Sequence, residues 1–271
     1  MSRGRIALSG VVIVALLALA ALAAPALPLG SPTAIAKDHA LRGPTTAEPF
    51  GHDDLGRSVL SRVVHAYRIS LSVAIASVVL ALVIGGPLGL LAGYAEGWLD
   101  QVIMRPLDVL MAFPAILLAI ALMSVFGTGA LLVSIALAIV YTPVIARVVR
   151  AAVLATKVEV YVDGARALGA TVPRVVLAHI VPNATTPVLV QASVLMAIGI
   201  LVEAALSFLG VGVRPPTPSL GLMLADGRGF MLQAPWMVVF PGIAIMLAVL
   251  GFNMLADGLR DWLDPQRAWT R

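Results

Sequence analysis

The amino-acid sequence predicts an all-α polytopic membrane protein with six transmembrane helices. The first observation behind this prediction is composition: of the 271 residues, 60% are hydrophobic and only 12% are charged, and the mean hydropathy is +1.01. A soluble domain carries about 25% charged residues, and no fold in water hides this much apolar surface. The second observation is pattern, because the chain contains six apolar runs of roughly the twenty residues that cross a bilayer as a helix.

These six runs give the order of the predicted spans. The first resembles a secretory signal peptide, with Arg3 and Arg5 before it. Its apolar run, however, is longer than the core of about 7–15 residues that such peptides carry, so we expect it to be retained. The predicted spans cover about residues 6–29, 69–95, 106–126, 130–149, 185–209 and 236–255.

The positions of lysine and arginine predict that both termini face the cytoplasm. With the N-terminus inside, eleven of the 18 basic residues fall in inner segments and seven in outer ones. Residues 1–68 then hold the first span and an outer loop with an amphipathic helix at 54–67, residues 69–260 form a core of five spans, and residues 261–271 form an inner tail. This topology explains the net charge of +4, and no nucleic-acid binding is predicted.

Several classes of functional site are excluded by the residues present. Cysteine is absent and the four histidines show no ligand spacing, so no thiolate, disulfide or metal site is expected. The nearest approach to a ligand cluster is His52-Asp53-Asp54, which we interpret as a solvated loop with a helix cap. No G-x-x-x-x-G-K-[ST] motif occurs, so no catalytic residue and no cofactor are predicted in this chain.

A polar stretch between the fourth and fifth spans, YVDGARALGATVPRVVLAHIVP at 161–182, differs from its apolar surroundings. Residues 163–168 can form a short helix, and Gly169 suits the left-handed position that ends one. Thr171 can cap a second helix, which Pro182 is expected to stop. Caps, glycine and an apolar stripe together favour a docking surface for another protein over a plain connecting loop.

This stretch resembles the cytoplasmic EAA signature of binding-protein-dependent ABC importer permeases, which reads E-A-A, three residues, G, nine residues, I-x-L-P. Gly164 and His179 depart from that signature, whereas Asp in the place of Glu keeps the charge. The positions of this chain that correspond to the letters of the signature are Asp163, Gly164, Ala165, Gly169, His179, Val181 and Pro182.

Three further stretches are similar to the C-type, second permease subunit of the dipeptide/oligopeptide/nickel branch. FGHDDLGRSVLSRVVHAYRISLSV at 50–73 resembles the entry to its second span, and RPLDVLMAFPAILLAIAL at 105–122 its third span. LVEAALSFLGVGVRPPTPSLGLMLADG at 201–227 resembles its fifth span and following outer loop, with Leu220 where tryptophan is usual. The resemblance covers about residues 50–260.

The resemblance implies a type I ABC importer permease fold in a bacterial cytoplasmic membrane. It also implies a second homologous permease, two ATPase subunits that bind ATP and magnesium, and an extracytoplasmic solute-binding protein. Residues at about 159–182 would form the coupling helix: Asp163 would pair with a basic residue of the ATPase, and Ala165 and Leu168 would fit its cleft. Dipeptides or oligopeptides are the implied cargo, with nickel or another small solute as the alternative.

Polar and proline positions within the spans give further candidates. A proton-coupled carrier would use the intramembrane Glu203, but such carriers predict internal repeats, which this sequence lacks; the resemblance instead favours hydrogen bonding of Glu203 within the bundle. Phe113-Pro114 predicts a kink. The candidate residues of a translocation path are Met111, Phe113, Tyr141 and Glu203, with packing as the alternative interpretation.

Glycines in the second span predict a close helix contact. Gly85, Gly89 and Gly93 lie four residues apart, so they share one face of the helix. Small residues in this pattern let a neighbouring backbone approach closely. The neighbour is expected within the chain or in the second permease.

Overall fold

The computed structural model describes residues 3–262, with side chains from residue 8 onward. All but the first two residues of the predicted tail at 261–271 lie outside the described range. Three short turns complete the helices: Lys37–His39 and Arg228–Phe230 are 3₁₀, and Val176–Ile180 is π-helical. The α-helices are α1 (Arg3–Ala23), α2 (Val59–Ala95), α3 (Gly97–Met111), α4 (Ala115–Phe126), α5 (Ala130–Lys157), α6 (Val160–Ala167), α7 (Val172–Val175), α8 (Val181–Phe208), α9 (Leu220–Gly227) and α10 (Trp236–Trp262).

Within residues 3–262, four helices are long and apolar enough to cross a membrane: α2, α5, the continuous helix Val172–Phe208 and α10. The bent pair α3 and α4 makes a fifth if it is counted as one span, and the apolar part of α1, Leu8–Ala23, is shorter. Each of the six apolar segments predicted from sequence therefore contains a helix, in the predicted order, although the first helix ends at Ala23 and not near residue 29.

The third predicted span is broken. It was expected as one kinked helix over 106–126, but α3 and α4 meet at 93°. Pro114 is the residue before α4; its ring clashes with a helical conformation at Phe113, and it offers no N–H to the preceding turn. The predicted kink at Phe113-Pro114 is confirmed, and it is sharper than a kink within one helix.

The prediction that Pro182 stops a helix is wrong. The chain runs as one helix from Val172 to Phe208, so the fifth span begins well before residue 185. The reason lies in the π-helical turn, in which the Val181 N–H bonds to the Val176 carbonyl. Pro182 follows as one of the first residues of α8, a position where its missing N–H is tolerated.

The predicted amphipathic helix at 54–67 is helical only from Val59 onward and is not separate from the second span. Ser58 caps α2, accepting a hydrogen bond from the Ser61 N–H at 3.4 Å, and α2 then continues without a break to Ala95. At 1.5 Å per residue its 37 residues span about 55 Å, more than the ~30 Å hydrocarbon core. The amphipathic turns are thus the end of a span that extends beyond the membrane.

The helix bundle is built on close contact between α2 and α5. A Cβ placed on Gly85 would lie 2.6 Å from the Thr142 carbonyl oxygen, and one on Gly89 2.3 Å from that of Ala146. The two helices run parallel, because the facing residues increase in number together. The predicted glycine contact is therefore made inside this chain, and α3 and α4 provide the return crossing between the two helices.

Candidate functional site

The candidate site is the segment between α5 and α8, called here the connecting segment (residues 159–182). Its first helix, α6, ends as predicted at Gly169, which has a φ of +85°. The Gly169 N–H bonds to the Arg166 carbonyl at 2.9 Å and the Ala170 N–H to the Ala165 carbonyl at 3.0 Å. Glycine is the residue that adopts this left-handed position without strain, and the chain can therefore turn directly into α7.

The connecting segment is attached to the bundle by one set of apolar side chains and presents another to solvent. Val162, Val175 and Ile180 are fully buried. Leu168 is 91% exposed and Val160 85% exposed. Val172 and Leu177 are exposed as well, and a group of exposed apolar side chains in one short segment is typical of a protein-binding surface.

The charges of α6 are available to a partner. The Asp163 carboxylate lies 3.3 Å from the Arg166 guanidinium one turn away, and its side chain is 68% exposed. Such exposed pairs contribute about 0–1 kcal/mol, so Asp163 can exchange this contact for another cation at little cost. At Gly164, an added Cβ would meet nothing within 4 Å, and the departure from alanine there leaves no gap in the fold.

A hydrogen-bonded group links α6 to α8. The side-chain amide of Asn183 donates to the His179 carbonyl at 2.6 Å and to the Tyr161 hydroxyl at 3.0 Å. The rings of Tyr161 and His179 lie 6.0 Å apart. Pro182 itself is exposed. Sequence reasoning missed Tyr161 and Asn183, since nothing in their spacing distinguishes them from solvated residues.

Three ion pairs join α3 and the α2–α3 turn to the end of α5 next to the connecting segment. Arg150 makes two hydrogen bonds of 2.6 Å to Asp100. The pairs Arg147–Asp108 and Lys157–Glu96 also measure 2.6 Å. They hold the returning chain against the base of α5.

A second polar group lies at the opposite end of the bundle, where α2 begins; we call Asp53, Arg57, Arg62 and Asp226 the loop charge network. Asp53 and Arg62 are buried, so the prediction of a solvated loop at His52-Asp53-Asp54 is wrong. Asp53 accepts hydrogen bonds from the Arg57 side chain at 2.6 Å, from the backbone N–H groups of Leu55 and Arg57, and from Arg62. Arg62 also bonds to Asp226 at 3.2 Å.

Asp54 lies beside this network with an incomplete set of partners. Its Oδ1 is buried and receives no hydrogen bond from the part of the chain that the structure describes, and the Arg57 guanidinium is 3.7 Å away. Burial first, and then the charge of Asp53, raise the pKa of the Asp54 carboxyl, although Arg57 opposes them. Three carboxylates and two guanidiniums therefore share this corner of the protein.

The four candidate residues of the translocation path fall into two settings. Met111 and Phe113 are exposed at the bend between α3 and α4, whereas Tyr141 and Glu203 are fully buried. Glu203 accepts hydrogen bonds from Ser70 at 2.7 Å and Ser207 at 2.8 Å, so it joins α2 to α8. Among the described residues, no Lys or Arg pairs with it.

Comparison with known proteins gives consistent matches. The model of a family described as "Binding-protein-dependent transport system inner membrane component" matches residues 85–269. The dipeptide transport system permease protein DppC of Alkalihalophilus pseudofirmus is 42% identical over 266 residues, which cover 98% of this chain and 88% of that protein. The glutathione transport system permease protein GsiD of Pectobacterium atrosepticum is 43% identical over 258 residues, covering 95% and 86%.

A further relative and a solved structure agree with these. The di/tripeptide transport system permease protein DppC of Pseudomonas aeruginosa is 41% identical over 266 residues, covering 96% of this chain and 88% of that protein. A crystal structure of an amino acid ABC transporter with histidines has the same fold, with a TM-score of 0.60 at 16% identity over 75% of this chain and 95% of that one. The chain is therefore a permease subunit that belongs to the family of binding-protein-dependent transport system inner membrane components, the membrane-spanning part of ABC importers.

Proposed function

We propose that this permease imports dipeptides or oligopeptides, and that two ATPase subunits drive it by docking on the connecting segment. A second homologous permease completes the path, and an extracytoplasmic binding protein delivers the cargo. The observation that carries the proposal is the group of exposed apolar side chains of the connecting segment, with Leu168 and Val160 the most exposed of them, beside the exposed Asp163 carboxylate. A group of this kind, unlike a single exposed leucine, fits a partner with an apolar cleft and a cation. ATP and magnesium then belong to the ATPase subunits.

The side of the membrane follows from this arrangement. ATP is in the cytoplasm, so the connecting segment lies there and both termini lie on the same side. Basic residues are frequent at that end, where Arg147, Arg150, Lys157, Arg166 and Arg174 occur, in agreement with the positive-inside rule. The loop charge network is then extracytoplasmic, on the side from which the binding protein delivers cargo.

The names of the relatives support a peptide as the cargo. Two of them are named for dipeptide or di/tripeptide transport and one for glutathione, which is itself a tripeptide. None of these three names a nickel permease. The same family match favours an ATP-driven importer over an ion-coupled carrier that uses Glu203.

A pair of leucine substitutions tests the docking surface. Leu168→Asp places a charge where an apolar contact is expected, and the lost burial alone is worth about 1.5–3 kcal/mol, or at least tenfold in affinity. Leu232→Asp is the matched control, because Leu232 is fully exposed in the turn before α10, away from the connecting segment. Both variants should insert normally into the membrane.

The measurement is affinity purification of each variant from native membranes in mild detergent, with quantification of the ATPase and the second permease, followed by uptake of a radiolabelled dipeptide. We expect Leu168→Asp to lose the ATPase and uptake and Leu232→Asp, at the end of the bundle that no ATPase reaches, to keep the ATPase. Recovery of wild-type amounts of ATPase with Leu168→Asp would refute docking at this residue.

A further inference from the structure

We propose that Asn183 is a positioning residue that fixes α6 to the start of α8, so that a displacement of the docked helix moves the whole span. The inference rests on the proposed function, because it assigns a role to a contact beside the docking surface. It concerns a different property: the stiffness of the joint between the docked helix and the span.

The covalent route from α6 to α8 is a weak mechanical connection. It passes through Gly169 in its left-handed conformation and then through α7, a single helical turn of four residues. A turn built on glycine changes its backbone angles at low cost. If this route were the only connection, tilting of α6 could be absorbed at the turn.

The π-helical turn adds a second compliant point. In Val176–Ile180 the hydrogen-bonded ring is one residue wider than in an α-helix, and Pro182 gives no N–H to the turn before it. π-helical turns occur mostly as single turns within α-helices and often at functional sites. The long helix Val172–Phe208 is therefore least constrained close to where α6 must act on it.

Asn183 bridges both compliant points with one nitrogen. A side-chain amide has two N–H donors, and here one bonds to the His179 carbonyl inside the π-helical turn and the other to the Tyr161 hydroxyl on α6. The same amide thus closes the widened turn and ties it directly to α6. The Tyr161 ring, close to the His179 imidazole, adds packing to the hydrogen bonds.

The position of these groups makes them able to transmit motion. Tyr161 is one residue before the buried Val162, which anchors α6 in the bundle, and Leu168 lies at the far end of the same helix. A force on Leu168 therefore tends to rotate α6 about its first turn. The hydrogen bond between Asn183 and Tyr161 lies at that turn, where it resists the rotation.

Two variants separate this role from a general effect on folding. Tyr161→Phe removes one oxygen and keeps the ring, and Asn183→Ala removes both donors. Thr185→Val is the control on the same helix, since among the described residues its hydroxyl bonds to the Val181 carbonyl and not to α6. Tyr161→Phe is so small a change that it remains informative if Asn183→Ala inserts poorly.

The first measurement is the position of α6 itself in the purified importer complex. The chain has no cysteine, so in a complex whose other subunits are made cysteine-free, spin labels attach at Ala167→Cys and Leu189→Cys alone. Pulsed electron paramagnetic resonance then gives the distribution of distances between them. We expect Tyr161→Phe and Asn183→Ala to broaden that distribution and Thr185→Val to leave it unchanged. Identical distributions in all variants would overturn the inference.

The second measurement is the ratio of radiolabelled alanyl-alanine taken up to ATP hydrolysed, in proteoliposomes that contain the complex and its binding protein. Both hydrogen bonds of the Asn183 amide are solvent-exposed, so loss of the bond to Tyr161 should lower this ratio about twofold, the low end for a hydrogen bond. The double variant should lower it no further than Asn183→Ala alone. An unchanged ratio with a normal complex refutes the role of Asn183 alone. Failure of the wild-type chain to bind an ATPase would instead refute the proposed function.

Discussion

The contact between α2 and α5 allows a prediction in which two single-methyl changes, three residues apart in one helix, have different effects. Gly89→Ala would place a methyl group 2.3 Å from the Ala146 carbonyl oxygen and 2.9 Å from the Val149 Cβ, whereas ordinary contact begins at 3.4 Å. A backbone carbonyl within a helix cannot rotate away, so α5 would have to move roughly 1 Å away from α2. At Gly86, apart from its chain neighbours, an added Cβ meets nothing within 4 Å.

The magnitudes follow from these distances. Overpacking of this kind costs about 1–3 kcal/mol, and alanine regains about 1 kcal/mol over glycine inside a helix. We therefore expect Gly89→Ala to lose up to about 2 kcal/mol, which corresponds to roughly 4–8 °C in a chain of this size. Gly86→Ala avoids the clash with α5, but its methyl group would lie beside the ring of Pro87, which opposes the helix gain, so we expect it to melt within about 2 °C of the wild type.

The assay is thermal unfolding of the purified subunit in mild detergent, followed by circular dichroism. The isolated subunit is used so that no partner covers Gly86. Equal shifts for the two variants, or a higher melting temperature for Gly89→Ala, would refute the argument that α2 and α5 touch through their backbones.

Three further changes test the polar groups. Arg62→Met removes one partner of a buried ion pair, a change that costs about 3–5 kcal/mol of stability. We expect a loss of about 3 kcal/mol, because Asp53 keeps its other donors. The control Arg68→Met, on an exposed side chain, should change the melting temperature little. Glu203→Gln should keep uptake and cost under about 1 kcal/mol, whereas Glu203→Ala should cost about 2–5 by leaving a cavity and two serine hydroxyls without their acceptor; loss of uptake in a stable, assembled Glu203→Gln complex would contradict a structural role. Because the pKa of folded Asp54 is raised above its ordinary value of 3.8, the stability that it contributes is greatest below that value and falls as the pH rises through the raised pKa. Asp54→Asn should therefore remove part of the pH dependence of the melting temperature on the acid side and stabilise the protein at neutral pH. Melting temperatures equal to those of the wild type at every pH would contradict this.

Features that depend on neighbouring residues were predictable from sequence. The order of the apolar helices and the left-handed end of α6 at Gly169 follow from rules that act within a few residues. Pro182 shows the limit of such rules. It has the local character of a helix stop, but the π-helical turn before it, which depends on packing of Val175 and Ile180 in the bundle, accommodates the ring and lets the helix continue.

Features that depend on distant residues were not predictable. Arg62 and Asp226 are 164 residues apart in the chain, and no pattern near either one indicates the other. The two arginines of the loop charge network also weakened the predicted orientation, because a count of basic residues treats them as free charges. In the structure Arg57 and Arg62 are both paired with Asp53, so they add little net charge to their side of the membrane.

The stretches that carry the family resemblance have different physical roles. The first, at 50–73, contains Asp53, Arg57 and Arg62, and the stretch at 201–227 contains Asp226, so these two stretches meet in one buried network. The residues of these two stretches fix a long loop to the ends of α2 and α9, and they therefore contribute to the stability of the subunit. The stretch at 161–182 is different, because its apolar tip faces outward and stabilises nothing within the chain. Substitutions in the network should therefore lower the melting temperature before they alter partners, whereas substitutions at Leu168 should release the ATPase from a subunit that melts normally.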